Sequence, residues 1–233
     1  MELQGKTAIV TGASRGIGKA IAHGLAQAGV NVCLVARASP ALHEATAEIN
    51  SLFPNKAIAV EANVELFDKL KNAFSETKRV YGQIDICFAN AGINQPSGNL
   101  ECITIDDIHK TFKVNTFGVI NTCKLAIEFM QETGGNLITI GSAIGHNGAE
   151  GCSIYAATKA ANWIFTRSIA EECKKHRINV NELIPGAVKT AMNPHASGSH
   201  WKEPADIVPM ALFLASQDLL KGASGQSFSL KHI

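Results

Sequence analysis

A chain of 233 residues, 46% of them hydrophobic, is long enough to bury one large core and too apolar to be a disordered protein. Its 21 basic and 20 acidic residues leave a formal net charge of +1 with no long run of one sign, which argues against a nucleic-acid surface. The six cysteines (33, 87, 102, 123, 152 and 173) fall at neither disulfide nor metal-ligand spacing, and no apolar run could span a bilayer, so a reduced, soluble, cytoplasmic protein is expected.

Residues 6–10 form a short apolar, β-branched run that ends in Thr11-Gly12-Ala13-Ser14-Arg15-Gly16-Ile17-Gly18. Ala20, Ile21, Gly24, Leu25 and Ala28 then recur at helical spacing, which makes this a strand, a glycine turn and a helix. Glycines let the backbone approach a pyrophosphate closely, and the N-terminus of the next helix offers that anion unpaired N–H groups and a positive dipole end. The spacing Gly-x-x-x-Gly-x-Gly differs from the Gly-x-Gly-x-x-Gly dinucleotide fingerprint, and a tight turn without a ligand is the plain alternative. A second strand covers residues 30–35. Ala36 follows it, where an acidic residue would hold the ribose 2′-hydroxyl of NAD. Arg37 comes next and Arg15 lies in the glycine turn. Either arginine alone reads as a solvated surface residue, but together, beside the missing acid, they predict a site for the 2′-phosphate of NADP(H) in preference to NAD(H).

Residues 40–52 read as a helix and 56–60 as a third strand, leading into Glu61-Ala62-Asn63-Val64. Another helix starts near residue 66, and a fourth strand at 84–88 ends in Ala89-Asn90-Ala91-Gly92, small residues that allow close contact with a ligand at the strand's carboxyl end. From about 105 to 132 a long helical pattern passes through Asn115, a poor helix former. That asparagine is either an exposed turn or a buried polar anchor for a proton path. A fifth strand at 136–140 delivers Ser142, and after a glycine-rich loop at 145–151 comes a helix carrying Tyr155-Ala-Ala-Thr-Lys159. A sixth strand at 178–184 precedes Pro185-Gly186-Ala187-Val188-Lys189-Thr190. Residues 191–202 are small, polar and irregular, a mobile lid in this reading. His195 and His200 within it have no acidic or thiol partners at ligand spacing, so no metal is expected. A helix at 204–215 and a last strand at 225–230 complete the chain. The strand–helix alternation predicts an α/β fold, a Rossmann-type doubly wound parallel sheet of about seven strands in a single domain spanning 1–233.

At i and i+4 on one helix, the Tyr155 phenol and the Lys159 ammonium project from the same face. A nearby fixed positive charge favours phenolate, so the lysine together with a cationic nicotinamide is expected to lower the tyrosine's pKa from about 10 and let it exchange protons near neutrality. Ser142 can donate a hydrogen bond to the oxygen whose charge changes. Tyr-x-x-x-Lys alone also arises by chance on solvated helices, and its weight comes from the rest of the chain.

Thr11 to Gly18, Asn90-Ala91-Gly92, Asn115, Ser142, Tyr155, Lys159 and Pro185-Gly186 to Thr190 occur in the order and at the spacings of the classical short-chain dehydrogenases/reductases, which this chain resembles over nearly its whole length. The resemblance implies transfer of hydride between a nicotinamide and a ketone or secondary alcohol. It implies that Tyr155 is the general acid or base, that Lys159 binds the nicotinamide ribose and lowers the tyrosine's pKa, that Ser142 orients the carbonyl, and that Asn115 supports a water relay. Cofactor contacts are implied at Gly12, Ser14, Arg15, Gly16, Ile17, Gly18, Arg37, Asn63, Val64, Asn90, Ala91, Gly92, Pro185, Gly186, Val188 and Thr190, besides Tyr155 and Lys159. Asn63 stands where the family commonly has an aspartate. A homodimer or homotetramer is implied as well, paired through helices near 105–132 and 152–175, with a small carbonyl or alcohol substrate and no nucleic-acid or membrane partner. A dinucleotide-binding sensor or scaffold on the same fold is the alternative, though such proteins typically lose the tyrosine or the lysine, and both are present here.

Overall fold

The computed structural model describes residues 1–94, 97–193, 198 and 201–230. Seven strands, β1 (Thr7–Thr11), β2 (Asn31–Ala36), β3 (Ala57–Glu61), β4 (Ile86–Ala89), β5 (Gly135–Ile140), β6 (Ile178–Ile184) and β7 (Ser227–Ser229), form one sheet in the order β3-β2-β1-β4-β5-β6-β7. Every pairing is parallel. The chain winds outward from β1 in one direction and from β4 in the other, so a crevice opens at the carboxyl ends where the two halves meet.

Parallel strands need crossovers, and these put helices on both faces. On one face lie α1 (Gly16–Gln27), α2 (Pro40–Leu52) and α8 (Val208–Ala215), packed on Ala8, Val10, Val32, Leu34, Ile86 and Phe88. On the other lie α3 (Phe67–Tyr81), α5 (Gly118–Met130) and α7 (Ser153–Cys173), packed on Ile9, Cys33, Cys87, Leu137 and Val180. Alternate residues of each strand therefore serve opposite cores, which is why the central strands read as continuous apolar runs. Cys33, Cys87, Cys123 and Cys173 are buried thiols, and all six cysteines are free. Among the described residues no helix is long and apolar enough to cross a membrane.

Three segments differ from their sequence reading. The helix expected over 105–132 is two helices, α4 (Ile105–Phe112) and α5, joined without a bend into loop by a π-helical turn at Lys113–Phe117. Asn115 lies in that turn, fully buried, so it is not an exposed break. A π turn widens the backbone by one residue, and such turns are frequent at functional sites. The glycine-rich loop begins as a short helix, α6 (Ala143–Asn147), whose N-cap is Ser142. The last helix starts with a 3₁₀ turn, Pro204–Ile207, capped reciprocally by Glu203 and Asp206. Much of the expected lid, including His195 and His200, lies outside the described residues.

Polar side chains order the other end of the sheet. Asn136 on β5 donates to the carbonyls of Ala215 and Gln217, Asn179 on β6 donates to Asp218 O and Asn136 Oδ1, and Asn181 donates to Ala223 O. These buried amides fasten the segment between α8 and β7 and leave the carboxyl ends free to carry the site.

Candidate active site

At the carboxyl end of β1 the chain turns through Gly12 and Gly16, with φ of +68° and +56°, values that glycine adopts without strain. A Cβ on Gly12 would come within 2.9 Å of Ala91 Cα, and one on Gly18 would come within 2.5 Å of Asn90 Nδ2. The turn is thus pressed against the end of β4. Asn90 Nδ2 donates to Thr11 O at 2.7 Å, while the Thr11 hydroxyl accepts from the amides of Asn90 and Ala91. Asn90 and Ala91 shape the glycine turn through these bonds. Gly16 opens α1, whose first N–H groups have no partner within the helix. Ser14 and Ile17 are half-buried beside it, and Thr190 approaches from the loop after β6, its Cγ2 lying 3.3 Å from where a Gly16 Cβ would be. That loop leaves β6 through buried Pro185 and through Gly186 at φ +76°, and Val188 is buried and bridged to Lys202. Backbone clearance, a helix N-terminus and a second loop closing over both fit the pyrophosphate of a dinucleotide.

The residues expected around the adenosine end are less uniform. Arg15, the N-cap of α1, and Arg37, just past β2, are both exposed. Register pairs Ala36 with Glu61 of β3, so a carboxylate does stand next to the position read as lacking one, although it is engaged by His43 Nε2 at 2.8 Å. Asn63 is occupied with its own turn: its Oδ1 accepts from Glu65 N and its Nδ2 donates to Glu65 Oε1. Val64 is buried against Gly118.

Ser142, Tyr155, Lys159 and Asn115 converge beyond Gly92. Asn115 Oδ1 accepts from Ile93 N and its Nδ2 donates to Ile93 O, both at 2.8 Å, which pins the backbone just after Gly92. Its Nδ2 also reaches Thr158 Oγ1 at 3.3 Å, and that hydroxyl donates to Tyr155 O. Gly92 makes room for the group: a Cβ there would sit 3.3 Å from Asn115 Oδ1 and 3.9 Å from Lys159 Nζ. Lys159 is buried, its Nζ donating to Ile140 O at 2.7 Å and lying 5.7 Å from the centre of the Tyr155 ring. Burial pulls its pKa down from 10.5 to about 8, with the Glu182 carboxylate acting the other way.

The tyrosine departs from its sequence reading. Its pKa is raised, first by burial, with a hydrogen bond from Ser142 pulling down and Cys152 pushing up. Removing a phenolate from water costs more than these neighbours return, and the lysine that was expected to lower it is itself weakened as a cation by burial. Three residues of this region escaped the sequence reading: Glu182, buried in β6; His146, its partner on α6; and Glu61 beside Ala36. Glu182 had left one signal, the lone charge inside the strand residues 178–184.

Comparison with known proteins places these features in context. The family model for short chain dehydrogenase matches residues 6–200. Carbonyl reductase family member 4 of Xenopus laevis is 33% identical over 227 residues, covering 93% of this chain and 94% of that protein. The 3-oxoacyl-[acyl-carrier-protein] reductase of Rattus norvegicus is 32% identical over 198 residues, 85% of this chain and 82% of its own length. A short chain dehydrogenase from Burkholderia cenocepacia, solved in complex with NADP, superposes with a TM-score of 0.90 at 32% identity, covering 99% of this chain and 98% of its own.

The buried lysine has a measurable consequence. Because Lys159 lies below its ordinary value in the folded protein, the unfolded chain binds more protons between about pH 8 and 10.5, and folding gains stability as pH rises through that window. Urea unfolding of wild type and Lys159→Met at pH 7 and pH 10 should show the wild type gaining roughly 2–3 kcal/mol on the variant over that interval. A constant difference would mean that the ammonium is not buried as described.

Proposed function

Because the chain belongs to the short-chain dehydrogenase/reductase family, oxidoreductases that act on carbonyl and alcohol groups, we propose that it is an NADP(H)-dependent ketone reductase with Tyr155 as the general acid. The observation that carries this reading is the half-buried phenol of Tyr155 next to Ser142 with the Lys159 ammonium beneath it. A phenol whose pKa is raised stays protonated at neutral pH, and that is the form carbonyl reduction consumes. The similarity to proteins named as a carbonyl reductase and an oxoacyl reductase favours the same direction.

In this mechanism Ser142 Oγ and the Tyr155 hydroxyl donate hydrogen bonds to the substrate oxygen and polarise the carbonyl. A bound nicotinamide would supply the hydride to the carbonyl carbon. As negative charge builds on the oxygen, Tyr155 releases its proton to it, and the nearby Lys159 ammonium stabilises the phenolate left behind. Thr158 and Asn115 hold Tyr155 and the Ile93 backbone in register around the lysine. Gly12, Ser14, Gly16, Ile17 and Gly18 would receive the pyrophosphate; Asn90, Ala91, Gly92, Pro185, Gly186, Val188 and Thr190 would line the nicotinamide end; Asn63 and Val64 would flank the adenine. Exposed Phe117 and Ile164, with the groove formed by Ile120, Ile127 and Phe165 between α5 and α7, support a homodimer or homotetramer in which these helices pair.

Turnover separates an enzyme from a cofactor-binding scaffold. NADPH oxidation with a panel of ketones is expected for the wild type, and Tyr155→Phe should keep cofactor binding while losing reduction by several orders of magnitude. A variant within about tenfold of wild type would remove Tyr155 from its role, and tight binding without turnover of any ketone by the wild type would favour the scaffold.

Cofactor choice rests on Arg15 and Arg37. A charge-assisted bond to the 2′-phosphate is worth about 1.5–3 kcal/mol, so one well-placed guanidinium gives roughly a tenfold to hundredfold preference. Dissociation constants for NADPH and NADH at one ionic strength should differ by this factor, and Ala36→Asp with Arg37→Gln should reverse the order. Equal affinities in the wild type, or an unchanged order in the double variant, would assign both arginines to the surface and leave Glu61 as the group that matters there.

A further inference from the structure

Three charged side chains are buried among the described residues: Asp85, Lys159 and Glu182. Asp85, just before β4 at the amino end of the sheet, is paired with Lys6 and accepts from Thr7 N. Glu182 lies in β6, 1% exposed at its side chain, on the face that packs against α7. Its Oε2 accepts from Ser227 Oγ at 2.6 Å and meets His146 Nε2 at 3.0 Å. Its Oε1 has no hydrogen-bond partner among the described residues. That oxygen occupies the space of a missing side chain, since a Cβ on Gly141 would collide with it. Gly141 has no positive φ to explain its being glycine, whereas the carboxylate does explain it.

The same stretch of backbone receives the lysine. Ile140 O accepts from Lys159 Nζ at 2.7 Å, and the Glu182 carboxylate packs on Gly141, the next residue, so both charges meet the chain at consecutive residues. Gly145 allows α6 to lie on α7 at that point, where a Cβ would come 2.7 Å from Lys159 Cβ, and His146 beside it stacks on Trp163 at 4.4 Å, one turn along α7 from Lys159. Resting on the reading of Tyr155 and Lys159 as the reacting pair, we propose that Glu182 is a positioning residue, the buried counter-charge that keeps Lys159 an ammonium, and that His146 holds the carboxylate in place. Few other groups face them. From α7 come Tyr155, Cys152 at its start, and Arg167, whose guanidinium lies 5.9 Å from the centre of the Trp163 ring that His146 packs on; from β7 the Ser227 hydroxyl; β5 presents Thr139 and Gly141, neither of which titrates. The attraction of Glu182 for Lys159 opposes the downward pull of burial, and without it the ammonium loses its proton at lower pH.

The test is the titration of the Lys159 amine by NMR in protein labelled with [¹⁵N]lysine, together with the pH profile of ketone reduction by NADPH. Glu182→Gln keeps the shape and removes the charge. Its Lys159 midpoint should fall by about half a unit or more, and the alkaline limb of activity should fall with it, so that the ratio of rates at pH 8.5 and 6.5 drops about threefold. His146→Phe, which keeps the stack on Trp163, should move both in the same direction by less, and it decides the matter if Glu182→Gln does not fold. An unchanged Lys159 midpoint, or a loss of activity equal at every pH with a lowered melting temperature, would make the pair merely structural. Tyr155→Phe run in parallel separates the two readings: if it stays active the catalytic assignment fails, and if it is inactive while the profiles coincide only the role of Glu182 fails.

Discussion

An ammonium group held out of water is the constraint around which this site is built. Burying Lys159 is unfavourable unless its charge is met, and the help comes from non-adjacent strands: the Ile140 carbonyl at the end of β5 accepts a hydrogen bond from Nζ, and the buried carboxylate of Glu182 on β6 favours the ammonium by charge alone, while Gly92 after β4 lies alongside. Each of these positions sits at or near the carboxyl end of a strand. The lysine can therefore be placed only after the sheet has brought β4, β5 and β6 side by side, which ties formation of the site to the long-range pairing of the fold.

The second organising contact joins the two halves of the sheet. Asn90 and Thr11 exchange hydrogen bonds across the β1–β4 boundary, where the winding reverses, and Gly12 and Gly18 are glycine because Asn90 and Ala91 come so close. The glycine turn is thus held at the mouth of the crevice by β4, and Thr190 approaches it from the far side of the sheet. The N-terminus of α1 follows β1 on one side of this boundary and Tyr155 follows β5 on the other, the switch point at which sheets of this kind bind dinucleotides.

Most of this fold was legible because its signals are local. Apolar runs marked β1, β2 and β4, the strand–helix alternation placed the remaining strands, and the i, i+4 spacing put Tyr155 and Lys159 on one helical face. What remained hidden depends on partners distant in sequence. Asn115 looked like a possible helix break because its partner, the backbone of Ile93, is 22 residues away, and only the fold turns it into a π turn around a buried amide. Glu182 was absorbed into a strand because His146 is 36 residues from it. Glu61 became a neighbour of Ala36 through strand register, which no count of residues from the glycine turn reveals. The direction of the Tyr155 shift was missed for a related reason: spacing gives the presence of a charge but not the depth at which phenol and ammonium are buried.

All of this depends on Lys159 being charged at neutral pH yet close to losing its proton. Titration of its side-chain amine by NMR in the wild-type protein tests that directly. A midpoint near 8 is the result the structure predicts, and a midpoint near the ordinary 10.5 in the folded protein would contradict it.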